Sequence, residues 1–296
     1  MKILISGSSG FIGTHLSIYL KKQGYDVKRL VRNKAEKDDE IFWDITGNSY
    51  NLDEFEGFDS FINLSGDNIF GYWTKEKKKS IVDSRINSTT LLTKIIKRLN
   101  SPPNTFISAS AIGFYGNRGD EIMDEYSQKG DGFFPNLADN WEKEANQAID
   151  KNLRVVNLRI GLVLSGKGGA LKKMLTPFRF GLGGNISDGN MYWSWISIDD
   201  LLSAVLFILN NKSVKGAVNL VSTSPIRNKE FTKTLGRVLS RPTFLPVPAI
   251  IIKTILGEFG NEALLSSTRV IPKKLLDSGF SFLHTDLERT LKEIIE

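Results

Sequence analysis

Three glycines, Gly7, Gly10 and Gly13, recur at three-residue spacing right after the apolar run Lys2–Ser6. Gly7 and Gly10 can adopt backbone angles that other residues avoid, and they let a pyrophosphate approach the main chain. The amides of Phe11 and Ile12 then sit at a helix N-terminus, where the helix dipole favours an anion. A glycine triplet alone is a weak signal; its place between a first strand and a first helix strengthens it. The chemistry it predicts is dinucleotide binding. The end of the second strand selects the dinucleotide. An NAD site places an acid there, about 20 residues on, to bind the ribose 2′-hydroxyl. Here the strand ends Leu30-Val31-Arg32-Asn33, without an acid. The Arg32 guanidinium suits a 2′-phosphate in charge and bidentate geometry. The expected cofactor is NADP(H), with a plain surface arginine as the alternative.

Later in the chain, three side chains are candidates for holding a substrate. Arg179, in Phe178-Arg179-Phe180-Gly181, is either an anion clamp between aromatic neighbours or a solvated helix end. Tyr192 and Trp195, with Trp193, either stack on a ring of the substrate or pack as core. Asp199-Asp200 reads as a helix start, with Asp199 as an N-cap or structural anchor and not half of a catalytic pair with Asp200, because successive helical residues do not face one way.

The elements that must position these groups alternate. Strands are expected at 2–6, 25–31, 58–64, 105–109, 153–158 and 218–221. Helices are expected at 11–23, 75–99, 134–151, 170–178, 199–210 and 228–239. This alternation predicts an α/β fold with a Rossmann-type, doubly wound parallel sheet. Residues 1–160 would form the cofactor domain. Residues 161–296 would form a smaller substrate region interleaved with the end of the sheet, mostly helical from about 242.

Composition excludes several classes. The 296 residues include no cysteine and two distant histidines, His15 and His284. Disulfides, a thiolate nucleophile and a multi-histidine metal site are therefore not expected. The net charge of +6 has its densest cluster at Lys75, Lys77, Lys78 and Lys79. It reads as solvated surface that also suits an anionic ligand, so neither nucleic acid nor a membrane is an expected partner. No run is long and apolar enough to span a bilayer. The N-terminus lacks a small-residue cleavage site, and the reading is a cytoplasmic chain without a leader.

Together these pieces resemble the short-chain dehydrogenase/reductase superfamily in its extended, epimerase-like branch. The chain looks most like the atypical proteins described as epimerase-family or nucleoside-diphosphate-sugar epimerase-like. The matching segments run along nearly the whole chain. They include Gly10-Phe11-Ile12-Gly13, Asn63-Leu64-Ser65-Gly66, Ser84-Arg85, Ser108-Ala109-Ser110-Ala111 leading to Tyr115-Gly116, Trp141-Glu142, and Arg159 to Leu164. Further on come Pro177 to Gly184, Trp195-Ile196, Arg241-Pro242, Leu245 to Pro248, Gly257-Glu258, and Pro272 to Leu275 with Gly279-Phe280. The resemblance implies that Leu64, Ser65 and Gly66 line the cofactor, that Arg85 reaches it from the long helix, and that Leu162 lies near the nicotinamide. Read independently, Arg85 between Val82 and Ile86 is either snorkelling or serving a buried anion.

The resemblance also implies a Ser, a Tyr and a Lys four residues after it for proton transfer. This chain departs from that pattern. None of its seven tyrosines is followed by Lys at that spacing. Leu137 and Trp141 fall where the pair is expected. Ser110 and Tyr115 remain as candidate catalytic groups, or as residues that only shape the pocket. Two functions stay open. One is an NADP(H)-dependent oxidoreductase or epimerase-like enzyme acting on a small polar, possibly nucleotide-linked molecule. The other is a catalytically silent NADP(H)-binding sensor. A monomer and a homodimer built on the long helix are equally compatible with the sequence.

Overall fold

A computed structural model describes residues 1–150 and 152–295. Its centre is an eight-stranded sheet in the order β12-β8-β6-β5-β1-β2-β3-β4. The strands are β1 (Lys2–Ser6), β2 (Asp26–Val31), β3 (Glu40–Asp44), β4 (Ser49–Tyr50), β5 (Ser60–Asn63), β6 (Thr105–Ala111), β8 (Arg154–Ile160) and β12 (Gly216–Leu220). Neighbours pair in parallel, except that β4 runs antiparallel to β3. The order reverses beside β1, and such a switch point opens a crevice at the carboxyl ends of the strands.

The interior strands are buried along nearly their whole length, as a sheet covered on both faces requires. One face packs on α1 (Phe11–Lys22) and α5 (Ile198–Asn210), through Leu16, Leu20, Leu201 and Val205. The other packs on α2 (Lys75–Ile96) and α3 (Phe133–Asn146), through Leu92, Ile95 and Ala145. Thr74 caps α2 by accepting a hydrogen bond from the Lys77 amide.

The second half adds α4 (Gly169–Arg179), α6 (Asn228–Leu239), α7 (Ala249–Phe259), α8 (Lys273–Asp277) and α9 (Leu287–Ile295). It also carries three small two-stranded pairings. These join β9 (Leu162–Leu164) with β11 (Trp195–Ser197), β10 (Tyr192–Trp193) with β13 (Ile226–Arg227), and β7 (Ile122–Met123) with β14 (Arg269–Val270). α4, α6 and α9 share a separate core around Trp195 and Phe231.

The strand-helix alternation is as the sequence implies, with three differences. β3 and β4 lie in a stretch whose charges mask the burial of Ile41 and Trp43. The third long helix starts at Phe133 and ends at Asn146; Lys151, its expected end, lies outside the described residues. The N-cap of α5 is Ser197, whose hydroxyl accepts from the Asp200 amide, and not Asp199. The Asp200 carboxylate accepts instead from the amides of Leu283 and His284, tying the C-terminal segment to the start of α5.

Candidate functional site

Gly7 has φ +68, and a Cβ there would lie 2.4 Å from the Leu64 carbonyl oxygen. A Cβ on Gly13 would lie 2.2 Å from the Gly7 oxygen. Only glycine permits this turn to fold under the start of α1. The Gly10 amide closes it by donating to the Gly7 oxygen at 3.0 Å. No side chain caps α1, and no acid lies in its first turn. The dipole at the Phe11 and Ile12 amides is thus left for an external anion. Phe11 packs beneath the loop entering α4, where a Cβ on Gly168 would lie 2.4 Å from its ring. Gly168 was not legible as a site residue, because only the tertiary contact requires it.

Arg32 stands exposed just beyond β2 and makes no ion pair or hydrogen bond among the described residues. Opposite the glycine turn, Leu64, Ser65 and Gly66 leave β5. Their course is set by Asn63, whose side chain accepts from the Ser6 hydroxyl at 2.6 Å and from the Ser65 amide at 3.2 Å. It donates to Thr89 at 2.8 Å, and Trp141 Nε1 donates to the same hydroxyl at 2.9 Å. β1, β5, α2 and α3 are thereby locked together.

Arg85 does not snorkel to water. Its guanidinium lies over the Trp141 ring at 5.3 Å and donates to the carbonyls of Ile81 and Asp67 at 3.0 and 3.1 Å. Burial pushes its pKa down to about 10, and the nearby Asp67 charge only partly opposes this. No carboxylate pairs with it directly. A Cβ on Gly66 would sit 3.1 Å from its Cζ, so the glycine keeps the main chain open beside this cation.

Ser110 and Tyr115 come together, in a closed network under the crevice. The Ser110 hydroxyl donates to Glu142 Oε1 at 2.7 Å. Arg159 clasps both oxygens of Glu142 at 2.8 and 2.9 Å and donates to the Tyr115 hydroxyl at 2.9 Å. Tyr115 in turn donates to Asn219 Oδ1 at 2.8 Å. Tyr115 is fully buried. Burial raises its pKa to about 12 although Arg159 pulls the other way, so its proton is held more tightly than in free tyrosine. In this structure the hydroxyls of the expected catalytic pair are engaged by buried partners. Glu142, Arg159 and Asn219 were missed as functional residues. Glu142 and Arg159 lie in segments that carry the resemblance, yet their pairing across 17 residues of sequence is not readable from spacing.

We expect Tyr115→Phe to cost about 1–3 kcal/mol of stability, because it leaves Arg159 and Asn219 short of a partner in a buried place. Urea unfolding measures this. Unchanged stability would mean that the hydroxyl is solvated.

The substrate candidates separate in space. Trp195 is fully buried and its Nε1 donates to the Ser224 carbonyl at 2.9 Å, so it is core and not a stacking platform. Trp193 is likewise core, against Phe231. Arg179 is exposed at the end of α4. Leu162 is half-buried, paired in register with Trp195. Tyr192 lies between the guanidinia of Arg227 and Arg269, at 4.6 and 4.7 Å from its ring. Beside it opens a cavity of about 780 Å³ whose lining includes Asn117, Asp188, Asn190, Arg227, Lys229 and Lys253. A second feature, unread in the sequence, is an aromatic cluster of Trp73 with Phe133, Phe134 and Phe259, which joins the loop after β5 to α3 and α7.

Residues 3–220 match the NAD dependent epimerase/dehydratase family. The chain belongs to this family. Residues 247–294 match a domain of unknown function. The chain is 36% identical over 290 residues to an epimerase family protein of Mycobacterium leprae, covering 98% of this chain and 94% of that one. It is 34% identical over 299 residues to the Homo sapiens epimerase family protein SDR39U1, covering both chains completely. A crystal structure of that human protein (isoform 2) with NADPH superposes with a TM-score of 0.90 at 32% identity, over 100% of this chain and 99% of the other. The Bacillus cereus UDP-N-acetylglucosamine 4-epimerase superposes with a TM-score of 0.79 at 17% identity, over 100% of this chain and 98% of that one, which shows the shared fold alone.

Within the epimerase family fold, the two positions assigned to the absent Tyr/Lys pair are apolar here. Leu137 packs with Trp73 and Phe259, and Trp141 is buried against Arg85.

Proposed function

We propose that the chain binds NADP(H) along the carboxyl edge of its sheet and acts as an NADP(H)-dependent oxidoreductase or epimerase-like enzyme on a small polar molecule. The observation that carries the cofactor assignment is Arg32: a free, exposed guanidinium at the end of β2, where no acid is available for a ribose 2′-hydroxyl. The glycine cradle fits the group, since a Cβ at Gly7 or Gly13 would fill it. The human relative solved with NADPH supports the same reading. Gly7, Gly10, Phe11, Ile12 and Gly13 would hold the pyrophosphate, Arg32 the 2′-phosphate, and Leu64, Ser65, Gly66 and Leu162 the flanks. The half-buried Arg85 cation, which pairs with no carboxylate among the described residues, would reach the cofactor from α2. Bound there, the cofactor would supply hydride at its nicotinamide ring.

Ser110 and Tyr115 form the floor of the site and orient β6 through Glu142 and Arg159, and Tyr115 is the hydroxyl there that could carry the proton that accompanies hydride transfer. The polar cavity beside Tyr192, with Arg227, Lys229, Asp120 and Asp188 in its wall, supports a polar substrate. A second reading has its own observation. With Leu137 and Trp141 in place of the proton-transfer pair, the chain holds NADP(H) without turning it over.

Titration of wild type and Arg32→Ala with NADP(H) and NAD(H) tests the cofactor. Losing a charge-assisted phosphate contact should weaken NADP(H) by about 1.5–3 kcal/mol and leave NAD(H) nearly unchanged. Preference for NAD(H), or equal loss of both, refutes the 2′-phosphate role. The oxidation rate of bound NADPH over a panel of carbonyl compounds and sugar nucleotides then separates the two readings. Acceleration by any of them supports the enzyme, and none supports the silent binder.

A further inference from the structure

The excess positive charge of this protein falls in two segments of its chain. The chain has 39 basic and 33 acidic residues, a formal +6. Residues 161–187 and 240–257 hold six cations, Lys167, Lys172, Lys173, Arg179, Arg241 and Lys253, and no carboxylate. The rest of the chain is therefore balanced. All six cations are exposed, and none makes an ion pair among the described residues.

These two segments are neighbours in space. The Arg241 side chain donates to the Arg179 carbonyl at 2.8 Å. The Val247 amide donates to the Asn185 carbonyl at 2.8 Å, and the Ser187 amide to the Val247 carbonyl at 2.9 Å. A Cβ on Gly184 would lie 1.6 Å from the Leu245 oxygen, so glycine permits the two segments to lie against each other. The second segment runs directly into α7.

The same segments present large apolar side chains to solvent. Phe180, Leu182, Phe244, Ile250, Ile251 and Ile255 are 43–78% exposed. On α7 only Ile252 and Phe259 are buried, so the helix turns one arc inward and leaves Ile250, Ile251 and Ile255 outside. An exposed apolar patch of this kind marks an interaction surface. Its charge is net positive: the acids at its margins are Asp188 and Glu258, and Glu258 is paired with Lys78.

We propose that this face docks on an anionic lipid bilayer surface, with the α7 isoleucines and the Phe180 and Phe244 rings entering the headgroup boundary and the six cations facing the lipid charges. Charge complementarity selects the occupant. A second copy would bring two net cationic faces together, at a cost in repulsion. Aliphatic tips among lysines and arginines match an interfacial binder, which gains from apolar burial and from anionic lipid together. The absence of a spanning helix is compatible with this, since docking at the surface needs none. The proposal does not depend on the cofactor assignment.

Co-sedimentation of the full chain with unilamellar vesicles tests it. We expect binding to phosphatidylcholine vesicles carrying phosphatidylglycerol to exceed binding to pure phosphatidylcholine by about tenfold or more, and to fall steeply near 1 M salt, where the Debye length is about 3 Å. Ile250→Asp with Ile255→Asp, and separately Lys172→Glu with Lys253→Glu, should each reduce the bound fraction at least several-fold. All four positions are exposed, so the thermal unfolding midpoint should stay near wild type and serves as the folding control. Absence of sedimentation with anionic vesicles overturns the proposal, as does binding that neither pair of substitutions affects. Concentration-dependent self-association abolished by the aspartate pair also overturns it, by assigning the face to a second copy.

Discussion

Glu142→Gln lowers the stability of this protein by about 3–5 kcal/mol, the cost of leaving one member of a buried ion pair without its partner. Arg159 is 4% exposed and Glu142 8%. The two carboxylate oxygens receive Nε and Nη2 of Arg159 at 2.8 and 2.9 Å, and Oε1 also accepts from Ser110. Burial pulls the Arg159 pKa down, yet Glu142 more than offsets it and the net shift is upward. Glutamine keeps the shape and removes the compensating charge, and no other carboxylate reaches the guanidinium. Urea unfolding at neutral pH measures the loss. Glu142→Leu combined with Arg159→Met removes both charges and should recover much of it, because paired burial is costly in itself. A loss below about 1 kcal/mol for the single variant would match a solvated pair and refute the closed network under the crevice.

Gly13→Ala and Gly10→Ala should part company. At Gly13 a Cβ would meet the Gly7 oxygen at 2.2 Å and Ser8 Cα at 2.8 Å, both main-chain atoms. The turn can accept the methyl only by opening, and overpacking of this kind costs about 1–3 kcal/mol or more. Opening the turn also displaces the amides that would meet the pyrophosphate. We expect NADP(H) affinity to fall on the order of 100-fold, about 2.8 kcal/mol, together with the loss of stability. At Gly10 the φ is −73, and the sole close contact of a Cβ is the Gly7 oxygen at 3.2 Å. Alanine there should leave unfolding nearly unchanged and weaken the cofactor alone, because the methyl points where the pyrophosphate must approach. Chemical denaturation and cofactor titration on the two variants give the contrast. Equal stability and affinity for Gly13→Ala and wild type would sink the close-packing account.

Different residues of the site were legible to different degrees. The glycine turn and Arg32 were readable because the features they build are local. Tight turn, helix start and strand end lie within seven residues of one another or one strand later, and residue type sets their geometry. The helices of the first half were readable from four-residue apolar spacing, and their ends shifted by a few residues where fraying and capping decide. β3 escaped because its apolar run, Ile41 to Trp43, is only three residues long between Glu40 and Asp44. Glu142, Arg159 and Asn219 escaped for another reason. Their partners lie 17, 44 and 104 residues away, and only the stacking of β6, β8, β12 and α3 brings them together.

By itself, then, the sequence determined the family fold, the cofactor cradle and the lack of a Tyr/Lys pair, since each is a matter of residue type at short spacing. Tertiary structure decided orientation and company. Ser110 and Tyr115 have the chemistry of a catalytic pair, and packing turned them toward Glu142 and Arg159. Trp195 has the chemistry of a stacking platform, and packing buried it. The cationic segments 161–187 and 240–257 are far apart in sequence, and packing laid Arg179 to Ser187 against Arg241 to Val247. Burial and charge pooling depend on contacts between residues far apart in the chain, so linear spacing does not specify them.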